Sequence, residues 1–208
     1  MSNIEKIIKD KCKDGVKYIE LGKIVKVLRG KRLTKSQLNE EYHYPVFHGG
    51  LEPLGYYEKY NREANTVMII NVGASAGTVG YSNIEFWSSD GCYCIEKSNI
   101  FIDKYLYYAL CCKENELKSK VRVAGIPTLD AKVIENIKIP VPPIEVQEEI
   151  VRILDNFTEL TAELTAELTA RQKQYEYYRN KLLSFDESAE SLDTLHTHTH
   201  TDTSTDKK

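Results

Sequence analysis

The sequence predicts an α+β protein: a globular head of short strands and helices, followed by one long coiled-coil-forming α-helix. Three observations carry this. From Pro142 to Ser184 the chain reads as a single helix with start and stop signals at its two ends. Before it, short apolar runs alternate with glycine- and proline-bearing turns, as strands and small helices require. At 208 residues and 41% hydrophobic content there is room for one ordinary domain plus that helix. The expected divisions are a head over 1–141, the long helix over 142–185 and a low-complexity tail over 186–208.

Pro142-Pro143 forbids helix before it and pre-sets the first turn. Glu145, Glu148 and Glu149 crowd the start, while Arg171, Lys173, Arg179 and Lys181 crowd the end, the charge order a helix macrodipole favours. One seam repeats with coiled-coil spacing: Ile150, Leu154, Phe157, Leu164, Leu168, Tyr175, Tyr178 and Leu182, broken by Thr161 and Arg171. These eight residues are the candidate dimerisation surface. Within it Thr161-Ala162-Glu163-Leu164 recurs as Thr165-Ala166-Glu167-Leu168, after a degenerate copy from Phe157. Four residues advance a helix by roughly 6 Å, so the unit behaves as an adjustable spacer. A solvated dimerisation helix is the plainer reading.

In the head, Ile4 to Cys12 reads as a short amphipathic helix and Ile24 to Arg29 as a strand. Lys23 to Lys35 holds six basic residues and no acidic one, with Arg29-Gly30-Lys31-Arg32 on the turn after that strand. Such a loop fits phosphate contact or simple solvation. Tyr44 to His48 reads as a strand, and Tyr56, Tyr57, Lys59, Tyr60 and Arg62 as a loop mixing aromatic and basic groups that can meet nucleic acid. Thr66 to Asn71 is an apolar strand leading into the small-residue turn Gly73 to Gly80, whose spacing is not that of a phosphate-cradling loop. Ile84 to Trp87 and Gly91 to Ile95 read as strands, and Asn99 to Lys120 as one helix. Arg122 to Leu129 reads as extended, Asp130 as the N-cap of a helix through Glu135, and Ile137 to Pro140 as a last strand.

Net charge is −3, which argues against a uniformly basic nucleic-acid binder. The average hides a division: residues 1–143 carry 21 Lys and Arg against 17 Asp and Glu, while residues 144–208 carry 7 against 14. Polyanion contact is therefore expected of the head alone. The five cysteines form neither a disulfide framework nor a zinc pair. No secretory or membrane-spanning run appears, so a cytoplasmic protein is expected. His43 and His48 have no catalytic company, and no catalytic or metal-ligating set is assigned. The tail, with His196, His198 and His200 alternating with threonines, reads as disordered.

Taken together, several segments resemble one family. They are Leu21-Gly22-x-Ile24, Arg29-Gly30-Lys31, Gly73-x-x-x-Gly77-x-Val79-Gly80, Asp103-x-Tyr105-Leu106-Tyr107-Tyr108, Gly125-Ile126-Pro127-x-Leu129, and Ile139-Pro140-Val141-Pro142-Pro143-Ile144-Glu145-x-Gln147 running into the long helix. The pattern resembles the DNA-specificity subunit of type I restriction–modification enzymes over about residues 18–183. That resemblance implies a target-recognition domain and a conserved spacer helix. Family members carry two of each, so this chain is expected to be a half-subunit that homodimerises to read a bipartite, palindromic site in double-stranded DNA. It implies a non-catalytic chain that binds no cofactor itself. Methyltransferase subunits would bring S-adenosylmethionine, with restriction subunits as further partners.

Side-chain chemistry nominates Arg29, Lys31, Arg32 and Lys35 for phosphates, and Tyr57, Lys59, Tyr60 and Arg62 for base edges, with Ser75 and Arg122 as further candidates. Two other classes are weighed against this: a dimeric coiled-coil scaffold without DNA specificity, and a hydrolase using Cys92 or His48.

Overall fold

Two strands buried along their whole length form the centre of the head. In the computed structural model, which describes residues 3–184, these are β5 (Thr66–Ile70) and β8 (Cys92–Ile95). Their side chains alternate between two cores, as a period of two dictates. Val67, Ile69, Tyr93 and Ile95 face one cluster; Met68, Ile70, Cys92 and Cys94 face the other. β2 (Val27–Leu28) and β6 (Val79–Ser82) flank them, giving an antiparallel sheet in the order β2-β8-β5-β6.

The first core is closed by α2 (Asp103–Cys111), α3 (Glu114–Ser119) and α4 (Ala131–Glu135), through Tyr105, Leu106, Leu110, Leu117 and Ile134. The second, containing Phe47 and Phe86, lies towards β3 (Tyr44–Phe47). With β4 (Tyr56–Tyr57) and β7 (Trp87–Ser88), β3 forms a sheet in the order β4-β3-β7. β1 (Lys17–Glu20) pairs with β9 (Lys138–Val141), Ile19 opposite Ile139, after α1 (Asn3–Lys11). The last element, α5 (Ile144–Leu183), is 40 residues long. The chain divides into two compact units, Met1–Asn156 and Phe157–Lys208. Among the described residues no helix is long and apolar enough to cross a membrane. The predicted tail, 186–208, lies outside the described residues.

The α+β class stands, with several differences in detail. The helix expected over Asn99 to Lys120 is two, broken at Cys112-Lys113. No glycine or proline marks the break. It starts α3 where the Glu114 carboxylate can accept from the Val79 backbone N–H at 3.1 Å, a tertiary interaction that outweighs local propensity. The strand expected from Ile24 shrinks to Val27–Leu28, because Leu21–Lys23 forms a 3-10 turn and the Val25 N–H bonds back to Leu21 O. The strand expected over Ile84 to Trp87 falls on Trp87–Ser88. β1, β4 and β6 are not expected as strands from the sequence; two of them, β1 and β4, are short and only part-buried, so they carry little periodic signal. Asp130 does cap α4, accepting from Lys132 N at 2.9 Å.

Candidate DNA interface

Strand direction alone gathers the candidate residues. β2, β5 and β6 each neighbour an antiparallel partner: Leu28 lies opposite Cys94, Ile70 opposite Cys92, and Ile69 opposite Val79. The C-terminal ends of β2 and β5 and the N-terminal ends of β8 and β6 therefore share one end of the sheet. The loops emerging there are Arg29 to Lys35, the glycine turn after Asn71, and Ser89 to Gly91. β3 delivers His48 to the same place, where its Nδ1 accepts from Gly91 N at 3.1 Å, beside the Asp90 carboxylate.

The basic loop is held by its backbone, which leaves its side chains outside. Lys31 N donates to Ser88 O at 2.9 Å. Trp87 Nε1 donates to Lys31 O, and Arg62 Nη2 to Arg29 O, each at 2.7 Å. Gly30 permits this approach: a Cβ there would lie 1.8 Å from Ser89 O. The far end of the loop is stiffened by a capping box, Thr34 with Gln37, around the 3-10 turn that carries Lys35. Arg29, Lys31, Arg32 and Lys35 keep their charged ends accessible on this loop, and the Arg29 guanidinium lies over the Tyr93 ring at 5.8 Å. Four cations on a tethered loop form a surface to which phosphates can bind at low ordering cost.

The glycine turn that carries Ser75 is joined to the segment that carries Arg122. Gly73 N bonds to Pro127 O at 2.9 Å, and Thr128 bridges both Val72 and Arg122. The turn packs so closely on α3 that Gly77, at φ +90°, has the Lys118 backbone against the place a Cβ would occupy. Arg122 forms a loose ion pair with Asp130 at 3.4 Å, its side chain largely exposed.

The aromatic–basic loop is divided. Tyr57 packs edge-on against Trp87, 5.0 Å between centroids, and so stands beside the basic loop. Tyr60 lies beyond the other end of β3, against Tyr44, where the Glu85 charge raises its phenol above the ordinary value. Lys59 pairs with Glu58 at 3.2 Å. Arg62 is turned inward: it is half-buried, with Nη1 on Asn61 O and Nη2 on Arg29 O. Its guanidinium props up the basic loop from below and is not presented as a base-reading fork. Sequence reasoning missed Trp87 and Asn61, which grips Ser88 through both its amide atoms at 2.7 and 3.0 Å. Neither type carries a sequence signal for such a role.

Gln147 explains the Pro-Pro-Ile-Glu-x-Gln segment. It is fully buried; its amide donates to Ile100 O and Pro142 O at 2.9 and 3.0 Å and accepts from Ile102 N at 2.9 Å. It fastens the first turns of α5 to the segment before α2. Two of the acids at that end are also engaged, Glu145 with Lys11 and Glu149 with Arg152. Along α5 the dimerisation candidates Phe157, Leu164, Leu168, Tyr175, Tyr178 and Leu182 are 51–72% exposed. Ile150 and Leu154 are half-buried against the first unit.

Cys92 is buried, and its hydrogen bond to Cys94 together with burial pushes its thiol well above the ordinary range, which disfavours the thiolate that a nucleophilic role needs. Among the described residues no group of His, Cys, Asp and Glu is arranged to hold a metal ion.

Residues 13–171 match the type I restriction modification DNA specificity domain. The chain belongs to that family. It is 33% identical over 151 residues to the type I restriction enzyme MjaVIII specificity subunit of Methanocaldococcus jannaschii, covering 68% of this chain and 36% of that one. It is 34% identical over 189 residues to a putative type I specificity subunit of Mycoplasma pneumoniae, covering 83% and 60%. The crystal structure of a type I restriction–modification S subunit from M. genitalium superposes with a TM-score of 0.67 at 23% identity, over 88% of this chain and 49% of that one. The specificity-domain fold is thus shared, and this chain spans between about a third and three-fifths of the length of these relatives.

Proposed function

We propose that this chain is a non-catalytic specificity subunit that reads double-stranded DNA with the loop-bearing end of its central sheet. The convergence of four strand ends on one basic, backbone-clamped surface carries the reading. Arg29, Lys31, Arg32 and Lys35 position phosphates. Base edges are met from Tyr57 and from the Ser75–Arg122 side of the same end. α5 pairs two copies antiparallel, so that each head reads one half of an interrupted palindrome; closed two-fold pairing is the commonest way to join identical chains. Methyltransferase subunits supply S-adenosylmethionine and the chemistry, restriction subunits join them, and the assembly works in the cytoplasm.

The test is co-purification of the full chain with a type I methyltransferase subunit, followed by mapping of methylated sites. A bipartite, two-fold symmetric site is expected. Methylation without sequence preference, or none, together with salt-independent binding to a random duplex pool, would favour the scaffold without DNA specificity.

A further inference from the structure

The apolar seam of α5 has two interruptions, and they select how two copies fit. In antiparallel pairing the seam allows only registers one heptad apart, because each seam residue must meet a seam residue of the partner. One register sets Leu164 against Leu168, Phe157 against Tyr175, Leu154 against Tyr178 and Ile150 against Leu182. It also sets Thr161 against Arg171, so both polar residues meet each other and every other layer is apolar. A shift by one heptad in either direction buries Arg171 against Leu154 or Leu168 and strands Thr161 against Leu164 or Tyr178. Parallel in-register pairing puts Arg171 against Arg171. The polar layer has suitable chemistry: Thr161 Oγ1 donates to Phe157 O of its own helix at 2.7 Å, which leaves its lone pairs to accept from a guanidinium.

The same register points Tyr178 and Leu182 at a place already shaped to receive them. Ile150 and Leu154, their opposite numbers, form one wall of a groove of about 340 Å³ on the first unit. The rest is lined by Tyr18, Tyr105, Tyr108, Ala109, Cys112 and Pro140, with Lys113 as the one charged side chain. The Tyr105 hydroxyl is spent on Pro140 O at 3.0 Å and that of Tyr108 on Asp155, so apart from Lys113 and the Tyr18 hydroxyl the groove offers mainly ring faces and carbon. Tyr18 is 64% exposed.

We propose that the groove beside Ile150 and Leu154 is the socket for the Tyr178–Leu182 end of a second copy's α5, in the register that pairs Thr161 with Arg171. The inference rests on the reading of α5 as a self-pairing helix. It adds which residues meet, and it makes each head a docking point for its partner's helix.

The experiment uses the full chain with Cys12, Cys111 and Cys112 changed to Ser. Cysteine pairs are then introduced as Leu154→Cys with Tyr178→Cys, Ile150→Cys with Leu182→Cys, and the one-heptad control Leu154→Cys with Arg171→Cys. After mild oxidation, the first two should give a covalent dimer on a non-reducing gel and the control should not. Separately, Tyr18→Ser and Ala109→Phe, both at the groove, should weaken the dimer by roughly tenfold in sedimentation with the melting temperature of the monomer retained for Tyr18→Ser. A dimer that cross-links only through the control pair overturns the register and leaves self-pairing standing. A dimer indifferent to both groove variants overturns the socket. A chain that stays monomeric at all concentrations removes the self-pairing reading beneath both.

Discussion

Replacing Gln147 by Ala should detach the start of α5 from the head without touching any residue assigned to DNA. The side chain is wholly buried and makes three hydrogen bonds to backbone, at 2.9, 3.0 and 2.9 Å. The change leaves the carbonyls of Ile100 and Pro142 and the N–H of Ile102 without their partner. Each orphaned buried group costs about 1–3 kcal/mol. Ile100 lies near the surface, 42% exposed, so water can serve part of the loss and the low end of that range applies. The expected total is about 3 kcal/mol, or a fall of about 6–12 °C in melting temperature for a domain of this size. Glu148→Ala, on the exposed neighbour, should stay within about 0.5 kcal/mol. Urea unfolding followed by circular dichroism measures both. A Gln147→Ala variant as stable as wild type would refute the anchoring role and, with it, this account of the Pro-Pro-Ile-Glu-x-Gln segment.

Changing Arg29, Lys31 and Arg32 together to Ala should weaken DNA binding across sequences and flatten the slope of log affinity against log salt by up to about 0.9 for each phosphate no longer neutralised; an unchanged slope in filter binding would take this loop out of the interface. Gly30→Ala should destabilise the head and release the basic loop, since its Cβ would sit 1.8 Å from Ser89 O, and proteolysis between Arg29 and Lys35 would report it. Burial pushes the phenols of Tyr105 and Tyr107 up to about 12; because the folded state holds these protons more tightly, their contribution is complete below about pH 10 and is lost as pH rises towards 12, which alkaline unfolding of Tyr105→Phe against wild type should show. Inserting one Thr-Ala-Glu-Leu unit after Leu168 lengthens α5 by roughly 6 Å, so methylation mapping should find the same half-sites separated by one or two more base pairs, at about 3.4 Å each; altered half-sites would sink the spacer reading.

The legible parts of the fold are those whose signal is local. α5 declares itself through prolines, end charges and a repeating seam, and β5 through five successive apolar or β-branched residues. Asp130 announces α4 because an N-cap needs only its own next residues. The illegible parts are decided by distant neighbours. Nothing between Asn99 and Lys120 says that the helix breaks at Lys113; the reason is the N–H of Val79, a strand away. β1 shows four residues, two of them exposed, and exists because Lys138–Val141 arrives to pair with it.

The site shows the same division within single residues. Side-chain type places Arg29, Lys31 and Arg32 on a candidate surface, and they do lie outside, but what holds them there is backbone: three carbonyls and amides gripped by Trp87, Ser88 and Arg62. By type, Arg62 is as good a base reader as any arginine in the chain. Its position turns the guanidinium to Asn61 O and Arg29 O, and a half-buried group held by two backbone carbonyls must let go of them before it can swing out to a guanine edge. A single change at Arg62 therefore loosens the platform under Arg29 before it alters any preference among bases. The expectation for Arg62→Ala is weaker binding on all sequences alike, and relaxed preference at one base position would return it to the reading face.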